Sequence, residues 1–275
     1  RATANLHLKP FDIQTIKTIL ADHQPNYSPE DLLAFYTLTG GLAKYVELLV
    51  KAKAFTRKRM LNEILTANSI FLNEGKAVLI DEFGKDYGNY FSILSLIASS
   101  KTSRSEMESI LNGSIGGYLE KLENEFGIIK KIRPFDAKPS GKNVKYRIED
   151  NFLNFWFRFI YKYRSAVEIG NFEYLRDLVE RDYETYSGLM LEKYFRQKLI
   201  ESGQFSEISS YWDKKGTNEI DIIAVNRSEQ SMVFYEVKRN KTRISLPQLQ
   251  SKSEMIIKNY PDYTIHCEAL SLDDM

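Results

Sequence analysis

Apolar positions recur at spacings of three and four through residues 15–20, 29–39, 42–52 and 56–68, with polar residues between them. That periodicity lines one face of an α-helix and predicts an all-helical first segment, residues 1–76. Ser28, with Pro29 behind it and Asp31 three positions on, reads as a helix start, because a serine hydroxyl can take up an orphan amide of the first turn. Gly40-Gly41 reads as the stop. Further helices are predicted over 89–99, 103–111 and 114–125. An extended run over 128–134 follows, then a loop over 135–143 containing Pro, Ser and Gly, then a short strand over 144–148. Three helices and a hairpin with a flexible tip describe a winged helix, assigned to residues 77–165.

From residue 166 the pattern changes. A long helical stretch covers 173–202, β-type runs cover 206–212, 218–225, 232–238 and 263–270, and a helix covers 246–259. Helix, strands, helix, strand is the order of a small mixed sheet flanked by helices. The chain is therefore read as α+β and multi-domain, with an α/β unit at residues 166–275. The nearly unbroken apolar run 152–159 predicts a buried helix joining the second unit to the third. Arg158 inside that run needs a partner or a path to solvent. Trp212 either lines a cleft or caps a sheet edge.

Composition narrows the functional classes. The 275 residues are 43% hydrophobic and 27% charged, enough apolar material for two or three small domains. A formal net charge of +1 gives no global basic field, so any nucleic-acid contact has to come from local patches. Cys267 is the sole cysteine, which excludes an intrachain disulfide. His7, His23 and His266 are scattered without metal-ligand spacing, which argues against structural zinc. No apolar run is long enough to span a bilayer and no secretory signal is visible, so a cytoplasmic protein is expected. A homo-oligomer is left open. The chain opens on Arg1-Ala2-Thr3 rather than methionine, and the expectation is a piece of a longer protein.

The candidate chemistry lies in two strand runs joined by the polar turn 226–231. Alternation puts Asp221 on a face with Ile223 and Val225, and Glu236 on a face with Phe234 and Lys238. If Val225 pairs with Met232, Asp221 falls opposite Glu236. Facing carboxylates repel, and a divalent cation reverses that sign because it needs clustered oxygens. A two-residue slip would instead set Asp221 opposite Lys238, an ordinary surface ion pair. Spacing leaves both registers open. Glu219 is expected to face away from Asp221.

Charge in the second unit is uneven. Its third helix carries Glu120, Glu123 and Glu125 against Lys121, a poor match to a groove lined by phosphates. The hairpin carries Lys130, Lys131, Arg133, Lys138, Lys142, Lys145 and Arg147. If this unit touches DNA, the contact is expected through these cations and independent of sequence. The alternative is a solvated loop in an interdomain adaptor.

Asp221 followed by Glu236-Val237-Lys238 resembles the signature of the restriction-endonuclease-like PD-(D/E)XK superfamily. The resemblance implies that Asp221 and Glu236 hold Mg²⁺ and that Lys238 polarises the attacking water or the scissile phosphate. It further implies Glu192, on the preceding helix, as an accessory carboxylate, and Gln248, near Pro247 at the next helix start, as a phosphate-orienting residue. Nearly the whole chain also resembles the C-terminal part of archaeal and bacterial P-loop ATPases of the AAA/STAND type, which carry lid helices, a winged helix and a nuclease-like DUF234 domain. Leu8-Lys9-Pro10-Phe11, Gly40-Gly41 with Tyr45, Tyr146 to Phe152, Phe155-Trp156-Phe157-Arg158-Phe159 and Asn218-Glu219-Ile220-Asp221 carry that likeness. No G-x-x-x-x-G-K-[ST] phosphate loop occurs in the sequence. ATP is therefore expected only through an upstream ATPase domain, which with DNA makes up the expected partners. The alternative to a nuclease is a non-catalytic DNA-binding or oligomerisation module that regulates that ATPase.

Overall fold

Ser28 and Asp31 cap each other. The serine Oγ accepts the Asp31 amide, the Asp31 carboxylate accepts the Ser28 amide, and Pro29 occupies the first turn of helix α2 (Pro29–Thr39). Every residue of α2 from Leu32 to Thr39 is buried. A helix buried on all sides must be a hub, with neighbours around its whole circumference. Helices α1 (Ile13–His23), α3 (Ala43–Lys51) and α4 (Arg57–Ile64) pack on it locally, and α9 (Asn151–Phe155) and α11 (Phe172–Glu201) reach it from far along the chain.

Gly40 closes α2 at φ +56°, and Gly41 follows at φ +76°. A Cβ on Gly41 would stand 2.5 Å from the Phe11 carbonyl oxygen, because the Phe11 amide donates to the Gly41 carbonyl at 2.8 Å and draws the two backbones together. Gly41→Ala adds this backbone clash to a left-handed strain of about 1–2 kcal/mol. The expected loss in urea unfolding is at least about 2 kcal/mol. An unchanged midpoint would contradict the close approach.

This computed structural model describes residues 9–275, apart from the side chains of residues 77, 78, 81 and 82. Arg1-Ala2-Thr3, His7 and Leu8 lie outside the described residues. The helix expected over 56–68 is shorter, α4 ending at Ile64, and a further helix that was not expected, α5 (Ile70–Phe83), begins after Asn68 takes φ +62°. Helix α5 runs unbroken past residue 76. Next come α6 (Tyr87–Ala98), α7 (Arg104–Leu111) and α8 (Gly116–Asn124), then an antiparallel hairpin of β1 (Ile129–Ile132) and β2 (Lys145–Ile148) with Ile129 opposite Ile148. Helix α9 continues as a π-helical turn, Trp156–Tyr161, before α10 (Arg164–Glu168). This apolar stretch is buried as its composition predicts: Trp156 Nε1 donates to the Leu72 carbonyl at 3.0 Å, and Phe91 meets Trp156 and Phe157 edge-on. Arg158 finds its partner in the Ala98 carbonyl, 3.1 Å from Nη1.

Helix α11 has 30 residues, a rod about 45 Å long. Leu175, Leu178 and Val179 pack its first half among the helices, and Leu191 and Phe195 carry its second half beneath a four-stranded sheet. The sheet order is β3 (Glu207–Trp212), β4 (Glu219–Asn226), β5 (Ser231–Val237), β6 (Thr264–Leu270). The first three strands are antiparallel, and β6 runs parallel to β5, a crossover made through α12 (Leu246–Ile257). Ile222, Ala224, Val233 and Tyr235 face the main core with α11, while Ile223, Val225, Met232 and Phe234 form a second core with Leu249 and Ile256 of α12. The fold is thus mixed α+β with two small sheets, and this sheet is mixed and covered by helices on both faces. Among the described residues, no helix is long and apolar enough to cross a membrane.

The loop whose tip is expected to be flexible from its Pro, Ser and Gly content is anchored at both its ends. Phe135 is 3% exposed and sits in the second core. Its amide donates to the Ser210 carbonyl at 2.7 Å, and the Tyr260 hydroxyl donates to the Asp136 carboxylate at 2.7 Å. Asn143 and Trp212 exchange two hydrogen bonds of 3.1 and 3.3 Å. The ends of the loop are held by the far sheet and α12, partners that local sequence pattern does not reveal.

Candidate functional site

Strands β4 and β5 take the register with Val225 opposite Met232, and the ladder runs to Ile222 opposite Tyr235. The two-residue slip is not adopted. On its other side β4 carries a bulge: Ser209 pairs with Ile223 but Tyr211 pairs with Ile220, so Asp221 and Ile222 together oppose Ser210. Strict alternation therefore fails at Asp221. Ile220, rather than Asp221, joins Ile223 and Val225 in the second core. Asp221 is left at the point where the ladder gives out, and its Oδ2 accepts the Val237 amide at 2.8 Å in place of a backbone carbonyl. Its own carbonyl accepts from Ser210 Oγ at 2.9 Å and from Arg196 Nη2 at 2.9 Å. Bulge, amide and guanidinium together fix where this carboxylate stands.

Lys238 lies two positions beyond Glu236, so both leave β5 on one side. Its Nζ is 3.0 Å from Glu236 Oε1 and 3.6 Å from Asp221 Oδ2. The carboxylate side chains are 11% and 13% exposed against 41% for the lysine, so the ammonium is the group that can move. Two cations not singled out from the sequence complete the surroundings. Lys252 of α12 brings Nζ to 3.3 Å from Glu236 Oε2, and Arg196 holds the Asp221 backbone. The available signal was helical spacing: Lys252 follows Gln248 by four positions and Arg196 follows Glu192 by four, each sharing a helix face with a candidate. Beyond Lys238, Arg239 pairs with Glu30 of α2 and donates to Ser187 Oγ at 2.7 Å, tying the end of β5 to the hub helix.

The electrostatics bind Glu192 to the same group. Burial, and then the field of Asp221, push its carboxyl up to about 8. Burial also raises Asp221, opposed by the Val237 amide and by Lys238, while Glu236 adds to the rise. Burial works against the charge of Lys238, but Asp221, Glu236 and Glu192 outweigh it and hold the ammonium above the usual lysine range. Between the ordinary glutamate value and about 8, the folded chain keeps a proton on Glu192 that the unfolded chain has lost. Stability from this group is therefore full below pH 4.5 and drains away as pH rises towards 8. Glu192→Gln is expected to gain roughly 2–3 kcal/mol at pH 8 in the presence of a chelator, and almost nothing at pH 4.5. Paired urea titrations at the two pH values read the difference, and a gain equal at both would dismiss the effect.

The remaining candidates stand apart from these four. Lys130, Arg133, Lys138, Lys142 and Gln248 are exposed. Lys131 is partly buried, its amide bonded to Glu123. Lys145 is committed to Glu219 at 2.7 Å and lies 4.6 Å from the centre of the Trp212 ring, so Glu219 is engaged away from Asp221. Among the described residues, none of the hairpin cations, nor Gln248, makes an ion pair or hydrogen bond with Glu192, Asp221, Glu236 or Lys238. No group of three or more His, Cys, Asp and Glu among the described residues is drawn close enough to hold a metal ion. Asp221 and Glu236 remain as a pair of hard oxygen donors, which suits Mg²⁺ when waters and substrate phosphate complete the octahedron.

Residues 156–255 match the family model DUF234, described as archaea bacterial proteins of unknown function. Glu192, Asp221, Glu236, Lys238, Gln248 and Lys252 all fall inside the match, and the basic hairpin falls outside it. The chain is similar to an uncharacterized protein of Methanocaldococcus jannaschii, 29% identical over 249 residues that cover 86% of this chain and 54% of the relative. It thus spans about half the length of the curated relative it matches. No solved structure matches.

Proposed function

We propose that the C-terminal unit is a PD-(D/E)XK-type nuclease-like domain that cleaves DNA phosphodiesters with Mg²⁺, in a chain that forms the part of a nucleic-acid-linked ATPase following its ATP-binding core. The observation that carries this reading is the meeting of Asp221 and Glu236 on one ammonium, Lys238. The three helices and hairpin of the second unit fit a winged helix, with the exposed Lys130, Arg133, Lys138 and Lys142 as its DNA contacts.

Asp221 and Glu236 would hold the cation, and Glu192 would assist once it gives up its proton. Bound there, Mg²⁺ supplies charge neutralisation at the phosphate and a more acidic water. Lys238 would leave its bridging position and turn its ammonium to the phosphate oxygens or the attacking water. Asp221 needs no rearrangement, since the Val237 amide, Ser210 and Arg196 already fix it.

A second reading is favoured by one specific observation. Lys238 and Lys252 already neutralise the two carboxylates, as in a non-catalytic DNA-binding or interaction module. Incubation with single-stranded, duplex and branched DNA in Mg²⁺ or Mn²⁺ separates the two. The nuclease yields metal-dependent products that Lys238→Ala abolishes. Absent, metal-independent or variant-insensitive cleavage, with binding that weakens steeply with salt, leaves the module.

A further inference from the structure

A cleft of about 360 Å³ opens between β2 with the end of α6 on one side and α11 with the edge strand β3 on the other. That is the size of site which encloses a small organic molecule. Its apolar wall includes Ile97, Ala98, Leu189 and Met190, and six basic or carboxyl side chains stand in the lining. Lys145, Arg147, Lys193 and Arg196 face Glu192 and Glu219, so basic side chains outnumber carboxyl groups four to two in a chain whose net charge is only +1.

The hydrogen bonds of these cations leave much of that charge unmatched. Lys145 is paired with Glu219. Lys193 donates to the Ile148 and Glu149 carbonyls, and Arg196 to Ser210 Oγ and the Asp221 carbonyl, all neutral acceptors. Arg147 meets Glu149 through Nε alone, and its two terminal nitrogens have no hydrogen-bond partner among the described residues. A guanidinium with that fork open matches two oxygens of a phosphate. The apolar wall beside it suits a flat, weakly polar group.

We propose that this cleft binds a nucleoside monophosphate unit, with its phosphate on Arg147 and Arg196 and its base between Ile97–Ala98 and Leu189–Met190. The unit is either a free nucleotide or the 5′-phosphorylated end of a strand. Leu189 and Glu192 line both this cleft and the smaller one beside Lys238, so a strand end seated here would lead towards that lysine. Binding itself requires no cleavage and no metal.

Calorimetry on the full chain in a chelator, with AMP, adenosine, inorganic phosphate and a 5′-phosphorylated trinucleotide, tests it. AMP is expected to saturate one site, with adenosine and phosphate at least about tenfold weaker. Arg147→Ala and Leu189→Asp, the latter at a 45% exposed position, should each weaken AMP by about tenfold or more. Lys238→Ala should leave it unchanged, so failure here and failure of the nuclease reading are distinguishable. Competition between trinucleotide and AMP identifies a strand end, and AMP binding without competition identifies a free nucleotide; both support the cleft. No saturable binding of either up to about 5 mM overturns it. So does AMP affinity that survives both cleft substitutions, or inorganic phosphate binding as tightly as AMP.

Discussion

Asp221→Asn is expected to lower metal-dependent DNA cleavage at least about a hundredfold while leaving the fold intact, since even the outer partners of a metal site are typically worth 10–100-fold. The substitution keeps the shape of the side chain and one carbonyl-type oxygen, so the Val237 amide keeps its acceptor. The Ser210 and Arg196 contacts go to the backbone carbonyl and are untouched. What disappears is the negative charge that a hard cation requires. Glu229→Gln, on the exposed hairpin turn, removes an equal charge from the same pair of strands and should leave the rate alone. Initial rates in Mg²⁺ for the parent and both variants, with melting temperatures alongside, make the comparison. Equal rates for parent and Asp221→Asn would transfer the site to the non-catalytic reading, in which this carboxylate only anchors Lys238.

Phe135→Ala is expected to cost stability on the scale of a core truncation, although the residue lies in a loop. The ring is 3% exposed among Ile220, Ile223, Phe234 and Leu249. Truncating a buried phenylalanine costs about 3–5 kcal/mol through lost transfer energy and the cavity left behind. The loss here is also local in a measurable way, because this ring pins one end of the hairpin loop to the far sheet. Cleavage after Lys138 and Lys142 by a lysine-specific protease should accelerate in the variant well before global unfolding. Asp136 keeps its bond from Tyr260, so the tip should loosen rather than detach. Unchanged proteolysis together with unchanged stability would show that the loop is anchored by other contacts.

These expectations draw on features of very different legibility. The Ser28–Asp31 capping box and the Gly40-Gly41 stop were readable because each depends on residues within one turn of one another. The mixed sheet was readable from the change of hydrophobic period after residue 202, but the turn between β4 and β5 left two registers open, and the fold adopts the one with Val225 opposite Met232. The meeting of Asp221, Glu236 and Lys238 follows from that register and the i, i+2 spacing on β5. The bulge was not readable. Asp221 in Asn218 to Val225 looks like any alternating polar residue, and only the pairing of Tyr211 with Ile220 shows that alternation breaks there. Phe135 likewise looked like a loop residue, since its partners begin at Ser210, far along the chain.

By itself the sequence determined the Ser28–Asp31 capping box, the Gly40-Gly41 stop, the succession of helical and strand runs after residue 166 and the i, i+2 spacing that sets Glu236 and Lys238 on one side of β5, because all of these follow from nearest-neighbour chemistry and periodicity. Tertiary structure alone decided the bulge that re-aims Asp221, the arrival of Arg196 and Lys252, the anchoring of the hairpin and the raised proton affinity of Glu192. The physical reason is common to these. Desolvation and charge fields depend on distance through space rather than along the chain, and α11 and α12 set those distances only once both have packed on the sheet.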